Sequence, residues 1–270
     1  MNPADLRLCR TILFLPASNP RAIEKARGLD ADMVILDLED AVKEEDKDAA
    51  REMAIEAAAA GFGERFSAIR MNAAGTGHYR ADVEAVRRSA ADFVILAKVE
   101  SPGQAADAAA ATGKSILAMI ETPRAVLGAA AIAPATVGLI AGTNDLSAEL
   151  GIQPGGGRPG LVHALQQVVL AARAAGVAAF DGVHNGLDDE EGLAQECRQG
   201  RAYGFDGKSL IHPSQIETAN RLFGPSGEEL AAAERLIAAA TGGAERFEGK
   251  MIEAMHVEQA RALLARARRG

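Results

Sequence analysis

Residues 93–121 read FVILAKVESPGQAADAAAATGKSILAMIE, and this stretch decides the fold class. Two apolar runs, 93–99 and 115–121, flank an alanine-rich segment at 102–111 that is long enough to form a helix. Near-continuous apolar runs bounded by turns are typical of parallel strands that are buried on both faces. The stretch therefore predicts a strand–helix–strand unit.

The same unit recurs along the chain. Similar apolar runs occupy residues 11–16, 33–38, 67–72, 137–142, 177–181 and 205–211, with helical segments between them. Eight strands that alternate with helices predict an α/β fold of the (β/α)8 TIM-barrel type, whose typical size of about 250 residues suits a chain of 270. A doubly wound open sheet is the alternative, but the turn after the first run reads PASNPR and lacks the GxGxxG nucleotide fingerprint.

The tail of the chain forms a separate element in this prediction. We predict that residues 1–223 form the barrel and that residues 224–270 form a C-terminal helical extension, or lid. The part after the break at Gly242 and Gly243 is too short for a core of its own, so we expect it to pack on its own barrel or at a subunit interface. The last helix carries arginines typical of a solvated face, namely Arg261, Arg266, Arg268 and Arg269.

Composition excludes several classes of partner. The formal net charge is −8, which argues against a nucleic-acid partner. No apolar run approaches the roughly 20 residues that cross a bilayer, and the start MNPADLRLCR has no apolar signal-peptide core. We therefore expect a cytoplasmic protein with no membrane partner.

Polar residues cluster at the ends of the predicted strands, where barrels of this type carry their chemistry. Glu121 and Asp145 follow consecutive strands, and Mg²⁺ often takes one or two carboxylates while leaving positions for water and substrate. Spacing alone leaves a second interpretation open, in which both carboxylates cap helices or pair with Lys98 and Arg124. The whole set comprises Asp37, Glu39, Asp40, Arg70, Lys98, Glu100, Glu121, Asp145, Asp181 and Lys208.

Three further features have competing interpretations. Arg70 either grips a substrate carboxylate through its planar guanidinium or forms an internal salt bridge with Asp37 or Glu39. Lys98 is either a permanently charged partner of the carboxylates or a Schiff-base lysine. The segment GGGRPG at 155–160 lacks the GKS/T ending of a P-loop and is only a weak phosphate signal.

The motifs, taken in order, resemble a known family. RTILFLPASNPRAIEKA, DMVILDLEDAV, IRMN, KVES, MIETPRAV, GTNDLSAELG, FDGVHNGLDDEEGL and GKSLIHPSQI occur in the order found in the citrate lyase β-subunit-like family of the HpcH/HpaI aldolase superfamily. That group includes malyl-CoA and citramalyl-CoA lyases. The resemblance covers nearly the whole chain and implies a (β/α)8 barrel.

The resemblance implies roles for matching positions. Glu121 and Asp145 resemble the Mg²⁺ ligands, and Arg70 resembles the clamp on the carboxylate of a 2-keto acid. Glu39 and Asp40 resemble acids that hold the water around the metal and orient Arg70. Arg21 and Lys25, at the opening of the first helix, resemble contacts for the phosphates of coenzyme A. Free-acid aldolases of the superfamily carry a histidine base at the position of Asp40, which favours a CoA-ester substrate here.

The activity that the resemblance implies is a Mg²⁺-dependent carbon–carbon lyase. It would cleave a short 3-hydroxyacyl-CoA, such as malyl-CoA or citramalyl-CoA, into acetyl-CoA and a 2-keto acid, or form it from these two compounds. The alternatives are a citryl-thioester lyase subunit that needs partner chains and a non-catalytic scaffold that binds CoA esters. We expect a homo-oligomer, a trimer by likeness to the family, with the tail at the subunit interface.

The lid motif departs from the family pattern. Long members carry an aspartate in a GxMID-like motif that reaches a neighbouring subunit's site, whereas this chain reads GKMIEAMH, with Glu253 in place of the aspartate. The extra methylene could displace the carboxylate by about an ångström and cost on the order of 100-fold in rate. Glu253 is thus a candidate for proton transfer or an ordinary helix residue.

Overall fold

A computed structural model describes residues 3–153 and 157–267 of the chain. Gly155 and Gly156 of the glycine-rich segment, and Arg268 and Arg269 of the predicted solvated face, lie outside the described residues.

Eight parallel strands close into a barrel in the order of the sequence, which confirms the predicted (β/α)8 fold. β1 pairs with β8, so neither strand is left as an open edge. Several strands end one to three residues before the end of the corresponding predicted run. The barrel strands are Thr11–Pro16 (β1), Met33–Asp37 (β2), Phe66–Met71 (β3), Phe93–Leu96 (β4), Ser115–Ile120 (β5), Gly138–Ala141 (β6), Ala178–Asp181 (β7) and Gly207–Leu210 (β8).

Helices cover the outside of the barrel. The sequence sets their ends locally: Ser101 caps one helix through a capping box, and Gly113 closes the same helix in the left-handed conformation. They are Pro20–Ala26 (α1), Lys47–Ala60 (α2), Tyr79–Arg88 (α3), Pro102–Thr112 (α4), Pro123–Ile132 (α5), Thr143–Glu149 (α6), Val162–Ala175 (α7), Glu190–Tyr203 (α8) and Ile216–Phe223 (α9).

The inside of the barrel is a packed core. Its side chains come from alternate positions of each strand, as the period of two in a strand requires. They include Ile35 on β2, Ala68 on β3 and Met119 on β5. Two positions further along the same strands, the inward-facing residues are Asp37, Arg70 and Glu121, so these three polar side chains meet at the carboxyl end of the barrel.

The C-terminal extension consists of Gly227–Ala239 (α10), a hairpin formed by Glu245–Phe247 (β9) and Lys250–Ile252 (β10), and Ala254–Ala267 (α11). Sequence patterns did not predict the hairpin. The expectation that Arg266 lies on a solvated face is wrong: its guanidinium donates to the main-chain oxygen of Asp206, just before β8. This contact fastens the end of α11 to the amino-terminal end of the barrel. The division at residues 223 and 224 stays a prediction.

None of the described helices is both long and apolar enough to span a bilayer.

Closure of the barrel depends on Gly207, so Gly207→Ala should destabilise the fold. An added Cβ would lie 2.5 Å from the main-chain oxygen of Cys9 and 2.6 Å from that of Arg10. Because these atoms belong to the chain entering β1, we expect a loss of about 2 kcal/mol in the free energy of unfolding, measured in urea. Gly227→Ala, where an added Cβ meets nothing within 4 Å, is the control. Equal stability of the two variants would contradict this account.

Candidate active site

Arg70 lies at the centre of the polar cluster. Asp37 is directly opposite it on the neighbouring strand and accepts two hydrogen bonds, from Nε at 2.7 Å and from Nη2 at 2.6 Å. The guanidinium also lies 5.0 Å from the centre of the Phe14 ring, as in a cation–π contact. The internal salt bridge that the sequence left open is therefore present. Since Asp37 uses two of the five N–H donors, others stay available for a substrate carboxylate.

Glu39 is a buried carboxylate that lacks a full set of partners. Its Oε2 lies 2.9 Å from Nη1 of Arg70, yet this buried oxygen accepts no well-directed hydrogen bond. Burial raises the pKa of Glu39 to about 8, although Arg70 acts in the opposite direction. Asp40, in contrast, is 63% exposed and lies 4.0 Å from the same guanidinium.

Glu121 and Asp145 lie at the carboxyl ends of two neighbouring strands, β5 and β6. Glu121 is buried at the end of β5, and Asp145 lies in the first turn of α6. The main-chain N–H of Lys98 donates to Oε1 of Glu121 at 2.7 Å, and its Nζ lies 3.6 Å from Oδ2 of Asp145. Burial raises the pKa of Glu121 to about 7. Gly142 makes room for Glu121, because a Cβ there would lie 2.3 Å from Cβ of Glu121.

These carboxylates fit a hard divalent cation. The carboxylates of Asp37, Glu39, Asp40, Glu121 and Asp145 lie around two cationic side chains, Arg70 and Lys98, in the part of the chain that the structure describes. Burial raises the pKa of Glu39 and of Glu121, and neighbouring carboxylates raise both further. No group of three or more His, Cys, Asp or Glu residues arranged for a metal occurs among the described residues. A pair of carboxylates is nevertheless the usual protein share of a Mg²⁺ site, because water and substrate oxygens fill the other positions. The pair available here is Glu121 and Asp145.

The cluster opens into a cavity of about 350 Å³. Its polar side holds Asp37, Arg70, Glu121 and Asp145. The ends of β1 and β8 and the loop after β7 add an apolar part of the lining, which includes Phe14, Pro16, Val183 and Ile211. The acidic and the apolar parts of the lining together suit a small substrate that has a charged head and a less polar remainder.

Three residues predicted at the mouth lie elsewhere. Glu100 turns outward, where it accepts from Thr122 and faces Arg124 at 3.6 Å. Asp181 and Lys208 form a fully buried ion pair at 3.2 Å, shared with Glu196 on α8, between the strands and the helices. The reason is the phase of the strands: on β7 and β8 the inward positions belong to Phe180 and Ser209 instead.

Three other candidates do not line this cavity within one chain. Arg21 and Lys25 are exposed on α1, four residues apart on one helix face, and α1 follows β1 at the same end of the barrel. Glu253 is exposed at the start of α11, where its N–H donates to Nδ1 of His256. Their predicted contacts with coenzyme A and with a neighbouring subunit's site stay predictions.

Sequence reasoning missed part of the lining. It assigned no helix to 143–149, although α6 carries Asp145 together with Thr143 and Asn144, which also line the cavity. The signal for α6 is weak because the segment TNDLSAEL has only two leucines. Phe14 belongs to the apolar run 11–16, which predicts only a buried strand; its place two residues before the end of β1 is the signal that it contacts Arg70 at the mouth of the barrel.

Comparison with known proteins connects this geometry to a family. Residues 10–213 match the family model described as HpcH/HpaI aldolase/citrate lyase. Residues 159–269 match a second model, described as a C–C bond lyase of the TIM-barrel fold.

Individual relatives agree with these matches. The chain is 44% identical to the (3S)-malyl-CoA thioesterase of Cereibacter sphaeroides strain KD131, covering 96% of this chain and 94% of that protein. It is 39% identical to a citrate lyase subunit beta-like protein of Mycobacterium tuberculosis strain H37Rv, with 94% of each covered. The crystal structure of CitE from M. tuberculosis in complex with magnesium, acetoacetate and coenzyme A superposes with a TM-score of 0.84 at 39% identity, covering 97% of this chain and 99% of that one. The chain therefore belongs to the HpcH/HpaI aldolase/citrate lyase family.

Proposed function

We propose that the protein is a Mg²⁺-dependent carbon–carbon lyase acting on a short 3-hydroxyacyl-CoA such as malyl-CoA or citramalyl-CoA. The observation that carries the proposal is the convergence of Arg70 with the Glu121–Asp145 pair in one cavity whose lining is also partly apolar. The structure of CitE with magnesium, acetoacetate and coenzyme A supports the same ligand classes for this chain. Arg21 and Lys25 are the proposed contacts for the CoA phosphates.

The residues divide the work as follows. Arg70, held in place by Asp37 and Glu39, binds the carboxylate next to the hydroxyl-bearing carbon. Glu121 and Asp145 would hold the cation, which when bound would supply Lewis-acid polarisation of the oxygen that becomes the carbonyl of the keto acid. Loss of the hydroxyl proton then breaks the carbon–carbon bond, and the electron pair passes to the thioester as an enolate, which takes up a proton to give the acyl-CoA.

Proton transfer needs a further group. Asp37 is hydrogen-bonded to Arg70, and Glu121 and Asp145 would bind the cation. Among the described residues that line the cavity, Asp40 is then the remaining carboxylate. Asp40 is exposed near the guanidinium, where its proposed part is to hold water and orient Arg70 together with Glu39. We assign the proton to Glu253 of a neighbouring subunit in a homotrimer.

Thioester hydrolysis is a second candidate, because the relatives at 44% identity are named (3S)-malyl-CoA thioesterases. Here water would add to the thioester carbonyl, the carbon–sulfur bond would break, and the CoA sulfur would leave with a proton. Both reactions use the same substrate and the same grip on its carboxylate, so the products distinguish them.

The products of malyl-CoA and citramalyl-CoA test both candidates by mass spectrometry. Cleavage should give acetyl-CoA with glyoxylate or pyruvate, whereas hydrolysis should give free CoA with the intact hydroxy acid. We expect cleavage that requires Mg²⁺ and is lost in Glu121→Gln. Arg70→Lys, which keeps the charge but not the planar fork, should lower kcat/KM roughly 100-fold. Turnover in EDTA, or no product from either substrate, would refute the proposed function.

The raised pKa values predict that Mg²⁺ and protons compete. Below pH 7 the metal-free site keeps protons on Glu121, whose pKa is about 7, and on Glu39, whose pKa is about 8. Because a ligand carboxylate must ionise, Mg²⁺ affinity should rise from pH 6 to pH 8 and proton release should accompany binding at pH 6. Calorimetry in two buffers of different ionisation enthalpy measures the release. Affinity independent of pH would contradict these assignments.

Co-expression of two inactive variants tests the role of Glu253. If Glu253 acts across a subunit interface, random assembly of Arg70→Lys with Glu253→Gln chains restores both wild-type residues in roughly a quarter of the sites. Activity should therefore recover well above that of either variant alone. Full activity of Glu253→Gln by itself would instead assign the proton to a group such as Asp40.

A further inference from the structure

Lys98 has an unusual backbone for its position. It lies two residues after Leu96, the last residue of β4, and has a φ of 52°, in the left-handed region. Among the residues that the structure describes, Glu248 in the hairpin turn is the other non-glycine residue with a positive φ. Such conformations are unfavourable for residues with a Cβ and persist where the surroundings impose them, often at functional sites.

The contacts of Lys98 explain what this conformation serves. Its N–H donates to Oε1 of Glu121 at 2.7 Å, and its Nζ lies 3.6 Å from Oδ2 of Asp145. One residue at the end of β4 thus reaches both members of the proposed metal pair, which come from β5 and α6. The main chain positions the buried carboxylate, and the side chain neutralises the exposed one.

The ammonium group of Lys98 is surrounded by carboxylates but open to solvent. Besides Asp145, the carboxylates of Glu39, Asp40 and Glu121 interact electrostatically with it. The side chain is 46% exposed and lines a second cavity, of about 580 Å³, which Asp40 also lines. The ammonium group therefore has space to leave Asp145.

We propose that Lys98 is a positioning residue and a built-in counter-ion: its N–H fixes Glu121, while its ammonium group occupies Asp145 until a divalent cation displaces it into the second cavity. This inference rests on the proposed metal pair and goes beyond it. Because two cations cannot share Asp145 at close range, Lys98 weakens Mg²⁺ binding in the absence of substrate and keeps the acidic mouth stable without metal.

The test is the Mg²⁺ affinity of Lys98→Met, measured by calorimetry without substrate. The nearly isosteric methionine removes the competing charge, so affinity should increase roughly 10-fold. In EDTA the same variant should have a lower Tm than the wild type, and saturating Mg²⁺ should reduce that difference. Lys98→Arg, which retains the charge, should restore wild-type affinity. Lys43→Met, which makes the same charge change at an exposed position, should leave affinity unchanged.

Each alternative outcome has a distinct meaning. If the wild type binds Mg²⁺ and Lys98→Met binds it equally or more weakly, Lys98 merely supports Asp145 and the counter-ion inference is overturned, while the metal pair stands. If neither protein binds Mg²⁺, both the counter-ion and the metal pair are wrong. A tenfold gain in Lys43→Met as well would show that net charge alone is responsible, which also overturns the inference.

Discussion

An excess of carboxylates at the barrel mouth is the constraint on which the site depends. Two guanidinium or ammonium groups face the carboxylates of Asp37, Glu39, Asp40, Glu121 and Asp145 within the part of the chain that the structure describes. Desolvating such charges is costly unless they are paired, hydrogen-bonded or bound to a cation. The Arg70–Asp37 fork is hydrogen-bonded at both ends, whereas burial, with a smaller contribution from neighbouring carboxylates, raises the pKa of Glu39 and of Glu121. A divalent cation would offset the excess of carboxylates.

Most of the fold could be predicted because one pattern repeats along the chain. Each strand is a short apolar run, and burial on both faces makes the run easy to recognise. The phase of each strand then determines which polar residues enter the mouth. Asp37, Arg70 and Glu121 continue the inward positions of Ile35, Ala68 and Met119, whereas Asp181 is one residue out of phase with the inward Phe180. Applying the phase strand by strand would have excluded Asp181 and Lys208.

The remaining features depend on contacts that no local pattern records. The left-handed backbone of Lys98 could not be predicted because the position is not a glycine. Its role is evident only from the contacts that Lys98 makes with Glu121 and Asp145. The side chain of Glu100 points away from the site and accepts a hydrogen bond from the hydroxyl group of Thr122, which lies after the next strand. The sequence of the last helix predicts a solvent-exposed Arg266, but its guanidinium contacts Asp206 at the amino-terminal end of the barrel. Each is a tertiary contact between residues distant in sequence.

The two candidate reactions differ in where water must be. Hydrolysis needs an ordered water beside the thioester carbonyl, whereas carbon–carbon cleavage needs the enolate to be shielded until it takes up a proton. The apolar lining formed by Phe14, Pro16, Val183 and Ile211 offers water few hydrogen-bonding partners. The exception is Ser209, whose hydroxyl is buried and has no partner of its own. The apolar lining thus favours cleavage, and the relatives' name favours hydrolysis. Whether water is held at this apolar lining, for example by Ser209, would therefore decide between the two proposed reactions.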